Sequence, residues 1–123
     1  MSGSPLEDRG AGAAGGSAGA AGGAGAGEIL HVTTPEAWAE AQQEGAVRPP
    51  SLATEGFAHC STRDQLAGTL AAHFPGTGPL VGLVLDPARL DDLRWEASRG
   101  GALFPHVYSP IPVDAVVAVE ELR

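Results

Sequence analysis

Lysine is absent from this 123-residue chain, and cysteine occurs once, as Cys60. Seven arginines stand against 15 carboxylates, a formal net charge of −8. A general nucleic-acid binder needs a basic face to displace counterions from phosphates. Attachment to an anionic membrane needs the same sign of charge. The charge speaks against both. One cysteine excludes an intramolecular disulfide and a multi-cysteine zinc site. No apolar run reaches the ~18 residues of a membrane-spanning helix. A phosphate-cradling G-x-x-x-x-G-K-[ST] is missing, as are G-x-S-x-G and a G-x-G-x-x-G set between a strand and a helix.

Glycine is abundant but unevenly spread. Of 18 glycines, ten precede residue 28, and residues 10–27 contain only Gly, Ala and Ser. Such a run has no large side chain to bury against its ordering entropy. Residues 1–27 are expected to form a disordered tail, and residues 28–123 a single domain. The tail is not expected to be a secretory leader. Its start holds Glu7 and Asp8 rather than a basic cluster, and no Leu/Val-rich segment follows. The expected location is the cytoplasm. Oligomeric state is not read from the sequence.

From residue 28 the pattern is one of short strands and helices. Residues 28–33 (EILHVT) read as a first strand. Thr34 and Pro35 mark a helix start, Trp38 and Ala41 its buried face, and Gly45 its end. Arg48-Pro49-Pro50 demands an extended link. Residues 57–60 form a second strand, and Ser61 with Asp64 is spaced as a capping box for a helix over 62–73. Leu66, Leu70 and Phe74 stack along the core face of that helix. Residues 80–85 (LVGLVL) are apolar on both faces and read as a central strand. A tight turn at 87–90 and strands at 93–96, 103–108 and 115–121 complete the pattern. Pro110 and Pro112 between the last two imply a crossover rather than a hairpin. Helices early and strands late make an α+β fold.

Four histidines invite inspection. Strand alternation puts His31 with Ile29 and Thr33, His59 with Phe57 and Ser61, and His106 with Tyr108. Each of these imidazoles is either satisfied by backbone or part of a shared cleft. His73, at a helix C-terminus, has a sufficient local role against the helix dipole. Ser61 is explained as an N-cap, and its hydroxyl is also a candidate ligand contact. Glu55 is either a solvated loop charge or a carboxylate that orients a histidine. Cys60 alternates away from His59, against a Cys–His nucleophilic pair.

Three segments then resemble a known family: Ile29-Leu30-His31; the run from Ser51 to Thr62 (SLATEGFAHCST) with Gln65; and Phe104-Pro105-His106-Val107-Tyr108. They resemble the uncharacterised bacterial family named domain of unknown function 952, over essentially all of residues 28–123. The resemblance implies a compact split-sheet fold of the ADP-ribosyltransferase-like group, alongside poly(ADP-ribose) polymerase catalytic domains and RNA 2′-phosphotransferases. It implies NAD or another small nucleotide as the ligand. By position, His31 matches a first-strand histidine that binds ribose, His59 or Ser61 the inward residue of the second motif, and His106 the place of a late-strand glutamate. Histidine there departs from active transferases, because imidazole supplies no fixed negative charge to an oxocarbenium-like transition state. Glu96, beside Trp95, is the candidate for a carboxylate delivered to the same cleft.

Three readings follow. One is an NAD- or nucleotide-handling transferase with His31, His59, His106 and Glu96 as catalytic candidates and Phe57, Ser61, Arg63 and Tyr108 as ligand contacts. Another is a non-catalytic module of the same fold that binds a small ligand or a protein. The last is a hydrolase with zinc held by His31, His59 and His106, which nothing in the spacing demands; no metal is favoured.

Overall fold

The computed structural model describes residues 28–76 and 78–123, so the tail expected over 1–27 lies outside the described residues. The first strand forms at Ile29–Thr33 (β1). The side chain of Thr34 then accepts a hydrogen bond from the Ala37 amide and opens the helix Pro35–Glu44 (α1). That helix ends at Gly45, whose φ of 91° is the left-handed conformation glycine adopts without steric cost. A short strand at Ala46–Val47 (β2) and one helical turn at Ser51–Thr54 (α2) follow. Neither was expected. Strand β2 exists by pairing with Ile111–Pro112, some 65 residues on, and so leaves no local signal.

The second expected strand is divided. Ala58–His59 (β3) and Ser61–Thr62 (β4) lie in different sheets. Cys60 between them donates its amide to the Pro105 carbonyl at 3.1 Å. The helix after them is Leu66–His73 (α3), starting later than expected. Ser61 and Asp64 do not cap it. Ser61 is paired to Leu30 as a strand residue. The reciprocal bonds are made one position on, by Thr62 and Gln65. The Thr62 amide donates to Gln65 Oε1 at 3.0 Å, and the Gln65 amide to Thr62 Oγ1 at 3.3 Å. Leu66, Leu70 and Phe74 do face the core, as their spacing implies.

The remaining strands are Val81–Leu85 (β5), Leu93–Ala97 (β6), Leu103–Val107 (β7), Ile111–Pro112 (β8) and Val116–Glu121 (β9). A four-stranded sheet runs β9-β5-β1-β4, a three-stranded sheet β3-β7-β6, and a two-stranded one β2-β8. All neighbours pair antiparallel. The fold is thus α+β, with few helices and several antiparallel sheets. Strand β5 sits centrally, as its doubly apolar sequence requires. The proline-rich link from β7 to β9 is the expected crossover, with β8 in a sheet of its own.

Alternation along β1 and β5 divides the core in two. Ile29, Leu83 and Leu85 pack with Ala41, Ala58, Val107 and Ile111. Leu30, Val32 and Val84 pack on the other face with Leu66 and Leu80, covered by Leu70 and Phe74. His31 shares the first of these faces with Ile29. No helix among the described residues is long and apolar enough to cross a membrane.

Candidate functional site

Strand β1 places His31 where it is 5% exposed. Its Nδ1 lies 2.8 Å from the His59 carbonyl oxygen. A carbonyl only accepts, so Nδ1 carries the proton and Nε2 keeps its lone pair. Burial lowers the pKa of this ring. The backbone bond acts the other way, and repulsion from His59 adds to the lowering. His31 is therefore a neutral imidazole fixed in one tautomer. Its bond also ties β1 of one sheet to β3 of the other.

Strands β3 and β7 place His59 directly opposite His106. Alternation brings Phe57 and Tyr108 to the same side of that sheet. Phe57 stacks on His106 with ring centroids 4.1 Å apart, and its ring lies 5.1 Å from that of Tyr108. Strand β6 contributes Glu96. Glu96 Oε1 accepts from His106 Nδ1 at 2.8 Å and from the Tyr108 hydroxyl at 2.7 Å. These two bonds, the tyrosine's first, lower the carboxyl pKa, and the same contact raises that of the phenol. The Arg94 guanidinium lies over the Tyr108 ring at 4.0 Å. His106 is thus held from behind by a carboxylate that a tyrosine in turn holds. His59 is braced from the loop before β3, where Glu55 Oε1 accepts from its Nε2 at 3.1 Å. The second of the two roles open to Glu55, orienting a histidine, is the one it fills.

One cleft of about 760 Å³ gathers these groups. His31, His59, His73 and His106 all line it, together with Ser61, Thr69 and Glu55. Ser61 is buried, its hydroxyl 2.7 Å from that of Thr69. Three of the expected catalytic candidates are thus brought together. Glu96 is not a cleft wall; it stands behind His106. Phe57 and Tyr108 likewise support the ring rather than line the cleft. Arg63 is elsewhere. Its guanidinium holds both carboxylate oxygens of Glu120, at 2.7 and 2.8 Å, and Glu28 at 2.9 Å, and it is not a cleft residue. These paired acids satisfy the charge that would have met a ligand.

Sequence reasoning missed His73, whose ring centroid is 6.3 Å from that of His59. The helix dipole explains His73 locally, and its approach to His59 depends on where α3 docks. It also missed Arg48, an exposed cleft residue without an ion-pair partner among the described residues. Cys60 is buried, and burial pushes its thiol up to about 12, so it is no nucleophile at neutral pH. Among the described residues, no group of three or more His, Cys, Asp or Glu is arranged to hold a metal ion. The rings of His31, His59 and His106 therefore do not make the zinc ligand set considered from sequence.

Comparison with known proteins gives three findings. The family model described as protein of unknown function (DUF952) matches residues 32–119. The crystal structure of protein CC0527 from Caulobacter crescentus superposes with a TM-score of 0.73 at 35% identity, covering 78% of this chain and 86% of that one. Its solution NMR structure gives a TM-score of 0.66 at 36% identity, with 77% and 84% covered. No curated protein matches.

Proposed function

This chain belongs to the DUF952 family, and we propose that it is an NAD- or nucleotide-handling protein of the ADP-ribosyltransferase-like type. The convergence of His31, His59, His73 and His106 on one cleft of about 760 Å³ carries the reading. A cavity of that size takes a nucleotide. The fold supports it too: two small sheets share the segment around Cys60, and both contribute to the cleft wall. In this reading His31 holds the ribose. Its Nδ1 is committed to the His59 carbonyl, so Nε2 is left to accept a hydroxyl proton. Arg48 meets phosphate at the rim, and the Ser61–Thr69 hydroxyl pair offers further polar contacts.

Calorimetry with NAD, ADP-ribose and nicotinamide tests the proposal. Heat with at least one of them, abolished by His31→Ala in a folded protein, is expected. No heat with any of the three removes NAD and its fragments as ligands and ends the ADP-ribosyltransferase-type reading.

One observation favours the non-catalytic version of the same reading. The Glu96 carboxylate is turned to His106 and Tyr108 rather than into the cleft. Among the described residues no late-strand carboxylate lines the cleft, so none is placed to meet the anomeric carbon of a nucleotide there. NAD binding without release of nicotinamide selects the binding module; release selects the transferase.

A further inference from the structure

His59 and His106 are cross-strand partners with ring centroids 5.5 Å apart and planes at 77°. Each has one nitrogen held by a carboxylate, but not the same nitrogen. Glu55 takes His59 Nε2 and Glu96 takes His106 Nδ1. His59 Nδ1 and His106 Nε2 are left without a hydrogen-bond partner among the described residues. The surroundings of the two rings differ as well. The side chain of His106 is 6% exposed beneath Phe57, while that of His59 is 46% exposed, with His73 on its far side. Two like groups in unlike surroundings, within reach of one small ligand, form the arrangement that divides into one base and one acid.

The chemistry that needs both is narrower than nucleotide binding. Nicotinamide leaves a ribose through its pyridinium ring nitrogen, which the bonding electron pair neutralises, and needs no proton. A ribose oxygen leaving phosphorus does need one. The charge on the cleft wall points the same way. Arg48 lines the cleft together with Glu40, Glu44 and Glu55, a balance of charge that suits a singly charged anion better than a polyanion. We propose that this cleft hydrolyses a small ribonucleotide phosphodiester of the 2′,3′-cyclic class, with His106 as general base and His59 as general acid. The inference rests on the reading that the cleft takes a nucleotide.

The step balances with water as the only co-reactant. The water oxygen bonds to phosphorus and gives its proton to His106 Nε2. The bond from phosphorus to one ribose oxygen breaks. That oxygen takes the electron pair, and a proton from His59 Nδ1, and a phosphate monoester remains. The step requires a proton on His59 Nδ1 and a free lone pair on His106 Nε2, the two nitrogens that Glu55 and Glu96 leave open. Exchange of one proton each with solvent resets the pair.

The probe is 2′,3′-cyclic AMP, incubated with the full chain and a chelator between about pH 4 and pH 9, with the monoester product measured by chromatography. A bell-shaped profile of kcat/KM is expected. His59→Gln and His106→Gln should each lower its maximum by about 100-fold or more. Glu96→Gln should move the acid limb to lower pH, whereas a merely structural loss would scale the profile without moving it. Circular dichroism confirms that each variant is folded. Absence of product from the folded wild type at every pH overturns the inference. So does full activity in either histidine variant, or activity that the chelator abolishes. Heat with NAD but no hydrolysis sinks this inference and leaves the nucleotide reading standing. Hydrolysis without heat from NAD, ADP-ribose or nicotinamide supports this inference and removes NAD as the ligand.

Discussion

Burial commits His31 to the neutral form, and that commitment has a pH signature. Its folded pKa lies below the ordinary 6.5. Between those two values the unfolded chain binds more protons, so stability rises with pH. This contribution is full above the unfolded pKa of 6.5 and is lost as pH falls through the folded value. Urea midpoints should therefore drop between about pH 7.5 and pH 5.5, and the drop should shrink in His31→Gln. An equal drop in both proteins would assign the slope to other groups. Glu96 acts in a lower window, because its depressed pKa stabilises the fold above the ordinary 4.5 and loses that effect as pH falls further. Cys60 offers a separate check. A thiol-specific reagent should titrate nothing in the native protein at about pH 8 and one thiol in denaturant. At this scale much was legible. The placement of His31, His59 and His106 on strands, and the neighbours each shares a face with, follow from period-two alternation, whereas their gathering on one cleft depends on how two sheets meet. The roles of Glu96 and Arg63 did not, because each is decided by a partner distant in sequence: Tyr108 and His106 for the first, Glu120 and Glu28 for the second.

Elements whose boundaries are set by local chemistry were legible to the residue. Helix α1 begins at Thr34-Pro35 and stops at Gly45 because a hydroxyl cap, a fixed φ and a left-handed turn each have a preferred residue type. Thr34→Ala should lower stability by about 1 kcal/mol. Gly45→Ala should cost about 1–2 kcal/mol at φ 91°, although its Cβ would meet no neighbour within 4 Å. Chemical denaturation reads both, and an unchanged midpoint in either would refute the assigned cap. The division of the second strand was not legible. Residues 57–62 alternate like a single strand, and only the pairing partners show that the chain changes sheets there, Ala58–His59 lying against β7 and Ser61–Thr62 against β1. Ser61 was misread as a cap for the same reason. Its hydroxyl meets Thr69 of α3 instead, so Ser61→Ala should leave a part-buried partner unsatisfied and cost about 1–3 kcal/mol.

The whole molecule is stitched across its sheets. The segment Ala58–Thr62 belongs to two of them, and His31 bridges the same two through the His59 carbonyl. Heat should unfold residues 28–123 in one transition, with calorimetric and van't Hoff enthalpies equal. Two resolved transitions would show that the sheets melt independently. Arg63 joins the ends of the larger sheet through Glu120 on β9 and Glu28 beside β1, on an exposed surface. Surface pairs of this kind contribute little, so Arg63→Ala should lower Tm only slightly and leave the heat of nucleotide binding unchanged. The shared segment carries one more implication, for anyone wishing to transplant this site. A graft of the 51–62 motif into another scaffold would bring His59 and Glu55 but neither the strand that supplies His106 nor the one that supplies His31. The recipient would inherit a loop with one braced imidazole, and the hollow itself would stay behind with the donor.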